Sequence, residues 1–184
     1  MARLSELILS EPTFPTLGTF HKNAIGVALA AIGVSEPASA AWPTANMALA
    51  FPFVISKTTT VKELWCSNGA TASGNVDIGI YDETFAKIIS TGSVAQSGTD
   101  TCQQFDITDT VLVPGTYYLA LSCDNGTATF YRFSVTAIRV LQSLGVYRQL
   151  TAFPLPSTMT PAFLAATYFP DFGLATGTVL PIGG

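Results

Sequence analysis

Between residues 47 and 55, Met47, Leu49, Phe51, Phe53 and Ile55 are separated by smaller neighbours. A two-residue period of this kind is that of a half-buried β-strand. A second apolar run, residues 61–66, stops at the turn signal Ser67-Asn68-Gly69. Val76, Ile78 and Ile80 restart the alternation, with Asp77 and Gly79 on the opposite face. Residues 86–91 read as a weaker strand behind the Asp82-Glu83-Thr84 turn, and Phe105 and Ile107 mark a short one. Pro114-Gly115 predicts a type II turn into a strand over 117–123. Asn125-Gly126 then reverses the chain into residues 129–135. Short strands at roughly 8–12-residue spacing, rich in Thr, Val, Ile and aromatics, predict an all-β fold. The expected architecture is an antiparallel, jelly-roll-like β-sandwich over residues 46–142. Its core should contain Leu49, Phe51, Phe53, Leu64, Ile78, Ile80, Leu119 and Leu121.

The two ends follow another pattern. Residues 46–142 hold 13 of the 20 charged residues but only Pro52 and Pro114 of the 11 prolines. Residues 1–45 are expected to be an N-terminal arm with short helices. Leu4, Leu7 and Ile8 share a helical face, and residues 23–34 are Ala-rich, begun by Asn23 and broken by Gly33. Residues 143–184 read as an extended, apolar C-terminal arm whose only charges are Arg148 and Asp171. Prolines at 154, 156, 161, 170 and 181 oppose a long helix or a central strand there. The arm also carries Tyr147, Phe153, Phe163, Tyr168, Phe169 and Phe172. Leaving six such side chains in water would forfeit on the order of 10 kcal/mol, comparable to the stability of a whole domain. They must therefore be covered, either by their own sandwich or by other subunits. The second cover is the one expected here, which makes these six aromatics interface residues.

Composition narrows the function. Of the 184 residues, 48% are hydrophobic and 11% are charged, against roughly 25% charged in an ordinary soluble domain. This excludes intrinsic disorder, which needs low hydrophobicity and high charge. Eight Lys and Arg against twelve Asp and Glu supply no basic patch for nucleic acid. The longest clean apolar run, residues 24–34, is far short of the ~20 residues of a membrane span. That run, with Ala38-Ser39-Ala40 behind it, has the outline of a signal peptide. It starts late, and Arg3, Glu6 and Glu11 make a poor leader, so a cleaved signal is not expected.

Candidate chemistry is scarce. The single histidine, His21, would have to serve any Ser-His-Asp or Cys-His arrangement, and it lies outside the predicted sandwich. It is read as a solvated or packing side chain. No Gly-x-Ser-x-Gly elbow and no phosphate-binding glycine loop in a strand–helix context is present. Cys66, Cys102 and Cys123 have no metal-ligand spacing. They are expected to be buried free thiols, with a Cys66–Cys102 or Cys102–Cys123 disulfide as the alternatives. Asp77, Asp82, Glu83, Asp100, Asp106, Asp109 and Asp124 fall on strand ends and turns, where capping is their ordinary role. A calcium ion on Asp82, Glu83 and loop carbonyls is the minor alternative. No catalytic residue, cofactor or metal ligand is therefore assigned. Trp42, Trp65, Tyr81, Tyr117, Tyr118, Phe130 and Tyr131 could include a sugar-stacking platform. Adjacent pairs such as Tyr117-Tyr118 and Phe130-Tyr131 must point to opposite faces, so one of each pair leaves the core.

Several segments, in order, resemble small β-sandwich modules of tailed-bacteriophage virion proteins. They are Trp42-Pro-Thr-Ala-Asn46 leading into Ala48-Leu-Ala-Phe-Pro-Phe53, then Thr60-Val-Lys-Glu-Leu64, Asp77-Ile-Gly-Ile-Tyr-Asp82 and Leu112-Val-Pro-Gly-Thr-Tyr-Tyr-Leu-Ala-Leu121. The resemblance covers roughly residues 42–136 and leaves both arms outside. It implies a non-enzymatic virion structural protein located in the virion and assembled in the host cytoplasm. A head decoration or cement protein attached through its arms is expected first, and a short fibre, collar or tail subunit second. The implied partners are its own copies, with a trimer as the first expectation, and major capsid or tail proteins. A carbohydrate-binding module with a glycan partner is the alternative.

Overall fold

The computed structural model describes residues 18–21, 24–26, 38–134, 138–165 and 167–177. The first strands are β1 (Gly18–His21), β2 (Ala24–Gly26), β3 (Ala38–Ala41), β4 (Met47–Ile55) and β5 (Thr59–Asn68). There follow β6 (Asn75–Asp82), β7 (Lys87–Ser90), β8 (Val94–Ala95), β9 (Thr101–Leu112), β10 (Gly115–Cys123) and β11 (Thr129–Ser134). After the short helix α1 (Ile138–Ser143) come β12 (Tyr147–Gln149), β13 (Ala162–Phe163), β14 (Tyr168–Pro170) and β15 (Phe172–Ala175). They form two antiparallel sheets packed as a β-sandwich, the fold class the alternation predicts.

One sheet runs β13-β12-β4-β10-β6-β7, with β8 also on β6. Its register explains the core. Leu119 of β10 lies between Phe51 and Ile80, and Leu121 lies between Leu49 and Ile78. These inward rows meet Leu64, Phe130, Phe169 and Phe172 of the other sheet, and all are buried. The eight core residues expected from the alternation are at most 1% exposed.

The other sheet is closed by the end of the chain. β5 pairs with β9 along one edge, and with β15 along the other. β14 pairs with β11, and β15 pairs with β2, so residues 168–175 are inserted between neighbours in the sheet. Pro170 interrupts this strand only locally. At Asp171 the N–H donates to the Tyr131 carbonyl (2.9 Å), and the carbonyl accepts from the Ser67 N–H (2.9 Å). Beyond the insertion, β5 and β11 pair directly, at Asn68 and Phe130.

The segments expected as arms therefore contribute strands. β1, β2 and β3 lie within residues 1–45, and Ala24–Gly26 is a strand where a short helix was expected. The remaining residues of the helices expected over 2–10 and 23–34 lie outside the described ones. β9 has 12 residues, much longer than the short strand around Phe105 and Ile107. Gly115 does not adopt the positive φ of a type II turn; it is the first residue of β10. Helix α1 falls on the expected boundary near 142. Gly145 (φ 74°) ends it, with its N–H on the Gln142 carbonyl and the Val146 N–H on the Leu141 carbonyl. That pair of bonds is a Schellman cap, which needs the left-handed residue glycine supplies.

Candidate functional site

The outer face of the β4-β10-β6 sheet is built from residues that alternate with the core rows. Its rows are Ala48–Ser122–Asp77, Ala50–Ala120–Gly79 and Pro52–Tyr118–Tyr81. The first two carry no large side chain, and the chain after β12 lies on them. Ala152, Leu155 and Met159 pack against Ala48, Ala50, Tyr81 and Ala120 in a second apolar cluster. Gly79 sits beneath this strap: a Cβ there would lie 2.9 Å from Leu155 Cδ1 and 3.0 Å from the Ile89 carbonyl oxygen.

Polar groups pin the strap. The Leu155 N–H donates to Asp77 Oδ2 (2.9 Å), and Lys87 Nζ donates to the Leu155 carbonyl (2.7 Å). The Tyr81 hydroxyl donates to the Pro156 carbonyl (2.7 Å), and the Lys87 N–H to that of Ser157 (2.8 Å). Burial pushes the Asp77 carboxyl above its ordinary value, opposed by the Leu155 amide, the Ser90 and Thr91 hydroxyls and the Lys87 charge. Burial likewise raises the Tyr81 phenol.

Beside the strap lies a continuous aromatic strip. Phe85, in the turn between β6 and β7, stacks on Tyr118 with ring centroids 4.2 Å apart. Tyr147 meets both edge-on, at 5.4 Å from Phe85 and 5.9 Å from Tyr118. Phe163 stacks on Tyr147 at 5.2 Å and is 59% exposed. Strand register sets part of this order, because Tyr147 pairs with Phe163 on one side and Ala50 on the other. Phe85 has a left-handed backbone (φ 63°), held by bonds from its N–H to the Asp82 carbonyl and from the Met159 N–H to its own carbonyl.

The six aromatics expected at an interface are divided among different places. Tyr168, Phe169 and Phe172 are buried within the sandwich of their own chain, where both phenylalanines pack edge-on against Phe51. Phe153 is half-buried in the strap, next to a cis bond to Pro154. Tyr147 and Phe163 belong to the strip. Sequence reasoning brought neither Phe85 nor these two together with Tyr118. Strand alternation marks Tyr118 as outward, but Phe85 lies in a turn and carries no periodic signal.

The other candidate platform residues are occupied. Trp42 packs on Phe130 and Tyr168 in the core, and Trp65 is buried beside Ala175 on the outer face of the other sheet. Tyr117 points inward and Tyr131 outward, with its hydroxyl on Asp100 Oδ1 (3.0 Å). The Asp82 carboxylate caps its own turn, accepting from the Thr84 N–H and hydroxyl and the Ala86 N–H, which holds it below the ordinary value. Among the described residues, no three His, Cys, Asp or Glu side chains come together as a metal site. His21 ends β1, its backbone opposite Ala24. The three cysteines are free thiols. Cys66 and Cys123 lie in the core and Cys102 beside Trp65; burial pushes Cys102 and Cys123 up to about 11.

No protein-family model, curated protein or solved structure matches the chain.

Proposed function

We propose that the chain is a non-enzymatic structural component of a tailed-bacteriophage virion, a head decoration or cement protein that assembles with its own copies. The observation that carries this reading is a set of exposed valines at one end of the sandwich. Val54, Val111 and Val113 are 56%, 60% and 58% exposed. The register places them at one end of the sandwich, Ile55 lying opposite Gly115 and Thr59 opposite Leu112: Val54 faces outward from one sheet, Val111 outward from the other, and Val113 lies in the connection between β9 and β10, with Lys57 exposed at the same end. Exposed apolar side chains close together at one end of a charge-poor chain favour a surface that is covered on assembly. The ordered resemblance of residues 42–136 to virion sandwich modules supports the same assignment. With part of the C-terminal segment committed to the sheets, this end is the attachment surface the reading favours.

Light scattering tests it. The wild type should have a mass that is a multiple of 19.3 kDa. Val111→Asp/Val113→Asp should reduce it to the monomer while the far-ultraviolet circular dichroism is unchanged. A wild type monomeric at every concentration, or a variant that assembles unaltered, contradicts the reading.

A further inference from the structure

Four strands of the second sheet each place one residue in a single row. Gly18 of β1 lies opposite Gly26 of β2, Gly26 opposite Gly173 of β15, and Gly173 opposite Trp65 of β5. Three of the four carry no side chain, so the row is a shallow trough that ends at the indole. This end is buried all the same. Phe172 and Leu174 turn into the core, while Gly173 and Ala175, on the outer face, are buried too. Trp65 is 5% exposed, yet its apolar neighbours on this face, among the described residues, are Ala175 and Cys102. An indole has on the order of 200 Å² to cover, more than a methyl group and a thiol supply. Its Nε1 is buried and has no hydrogen-bond partner among the described residues.

Further chain must therefore lie on this face, and position and composition identify it. Gly26 is the last residue of β2, so the chain that follows starts at the trough itself, and β3 begins at Ala38. The eleven residues 27–37 in between span at most about 36–40 Å, and Trp65 is two strand spacings, or about 10 Å, from Gly26. Residues 27–34, Val-Ala-Leu-Ala-Ala-Ile-Gly-Val, contain no charge, no proline and no polar side chain. Residues 1–17 meet the row through Gly18, one strand farther away, and contain Arg3, Glu6, Glu11, Pro12 and Pro15. The unpaired indole N–H favours the apolar segment, because polar side chains would offer it an acceptor.

We propose that the glycine trough and Trp65 are a docking surface for residues 27–34 of the same chain. The segment forms an outer layer on this part of the sandwich, with Trp65 as its anchor. The run that has the outline of a signal peptide is then part of the fold, and cleavage behind Ala40 would remove β1, β2 and this cover together. The proposal does not rest on the virion reading, because the trough shares no residue with the exposed valines.

Acrylamide quenching of tryptophan fluorescence in the full chain tests it. The chain has two tryptophans, and Trp42 is a core residue. Both should be shielded in the wild type. Leu29→Asp/Ile32→Asp, at the two largest side chains of the segment, should shift the emission to the red and make about half of it quenchable, one tryptophan of two. The far-ultraviolet circular dichroism should not change. In a Trp65→Phe background the same substitutions should alter neither the emission nor its quenching. Leu29→Ala/Ile32→Ala should give a smaller effect in the same direction, and decides the matter if the aspartates disturb the fold. A Trp65 already quenchable in the wild type, or still shielded in both variants, overturns the proposal. So does a Trp65 exposed by Val111→Asp/Val113→Asp alone, which would assign the cover to a second copy. A monomeric wild type with Trp65 shielded from quencher, and exposed by the substitutions at 29 and 32, supports this docking while the assembly reading fails.

Discussion

The Asp77 carboxylate and the Leu155 amide are 78 residues apart in the chain and 2.9 Å apart in the fold. The alternation places Asp77 on the outer face of a half-buried strand, with capping as its ordinary role. It is fully buried because the strap covers its face, and it anchors that strap through a backbone N–H that would otherwise lack a partner.

Asp77→Ala should destabilise the protein by roughly 1–3 kcal/mol, the cost of a buried polar group left unpaired. Asp77→Asn, which keeps an acceptor for Leu155, should cost less. Chemical denaturation of the three proteins at neutral pH checks the order.

The pH dependence has a defined sign. Burial raises the Asp77 carboxyl above its unfolded value near 3.8. Its protonation therefore contributes stability that is fully present below the unfolded value and lost as pH rises through the higher folded value. The wild type should gain stability relative to Asp77→Asn as pH is lowered through that window. A constant difference between the two from pH 7 to pH 3 would refute this account of the site.

Gly79 and Leu155 should be energetically coupled. Gly79→Ala pushes a methyl group into Leu155 and should cost about 1–3 kcal/mol, and Leu155→Ala about 2–5 kcal/mol. The double variant should lose somewhat less than the two combined, because shortening Leu155 relieves its contact with the methyl group, while the contacts with Ser90 Cβ and the Ile89 carbonyl oxygen remain. Fully additive losses would show that the Leu155 contact contributes nothing to the cost of Gly79→Ala.

Deleting residues 143–184 should unfold the chain. Tyr168, Phe169, Phe172 and Leu174 are core residues of an inserted strand, each contributing roughly 1.5–3 kcal/mol, against a total stability of about 5–15 kcal/mol. The extended-arm expectation has the opposite outcome, a folded sandwich without its tail. Circular dichroism of the truncated chain decides between them.

These cases show how far the sequence was legible. Leu49, Phe51, Phe53, Ile78, Ile80, Leu119 and Leu121 were readable because each strand shows its own period of two, whatever it pairs with. Phe169 and Phe172 were not, because Pro170 argues against an internal strand, and only the Ser67–Asp171–Tyr131 backbone bonds carry the chain past it. Tyr118 was identifiable as outward-facing from its alternation with Tyr117. Its neighbours Phe85, Tyr147 and Phe163 come from a turn and two short strands, and tertiary packing alone brings them together.

Co-sedimentation of the purified chain with tailed-phage particles from the same source tests the proposed virion assignment most directly. Wild-type protein should pellet with the particles at a fixed ratio, and Val111→Asp/Val113→Asp should stay in the supernatant. Wild-type protein that remains in the supernatant, and is missing from purified particles by mass spectrometry, would contradict the assignment to the virion.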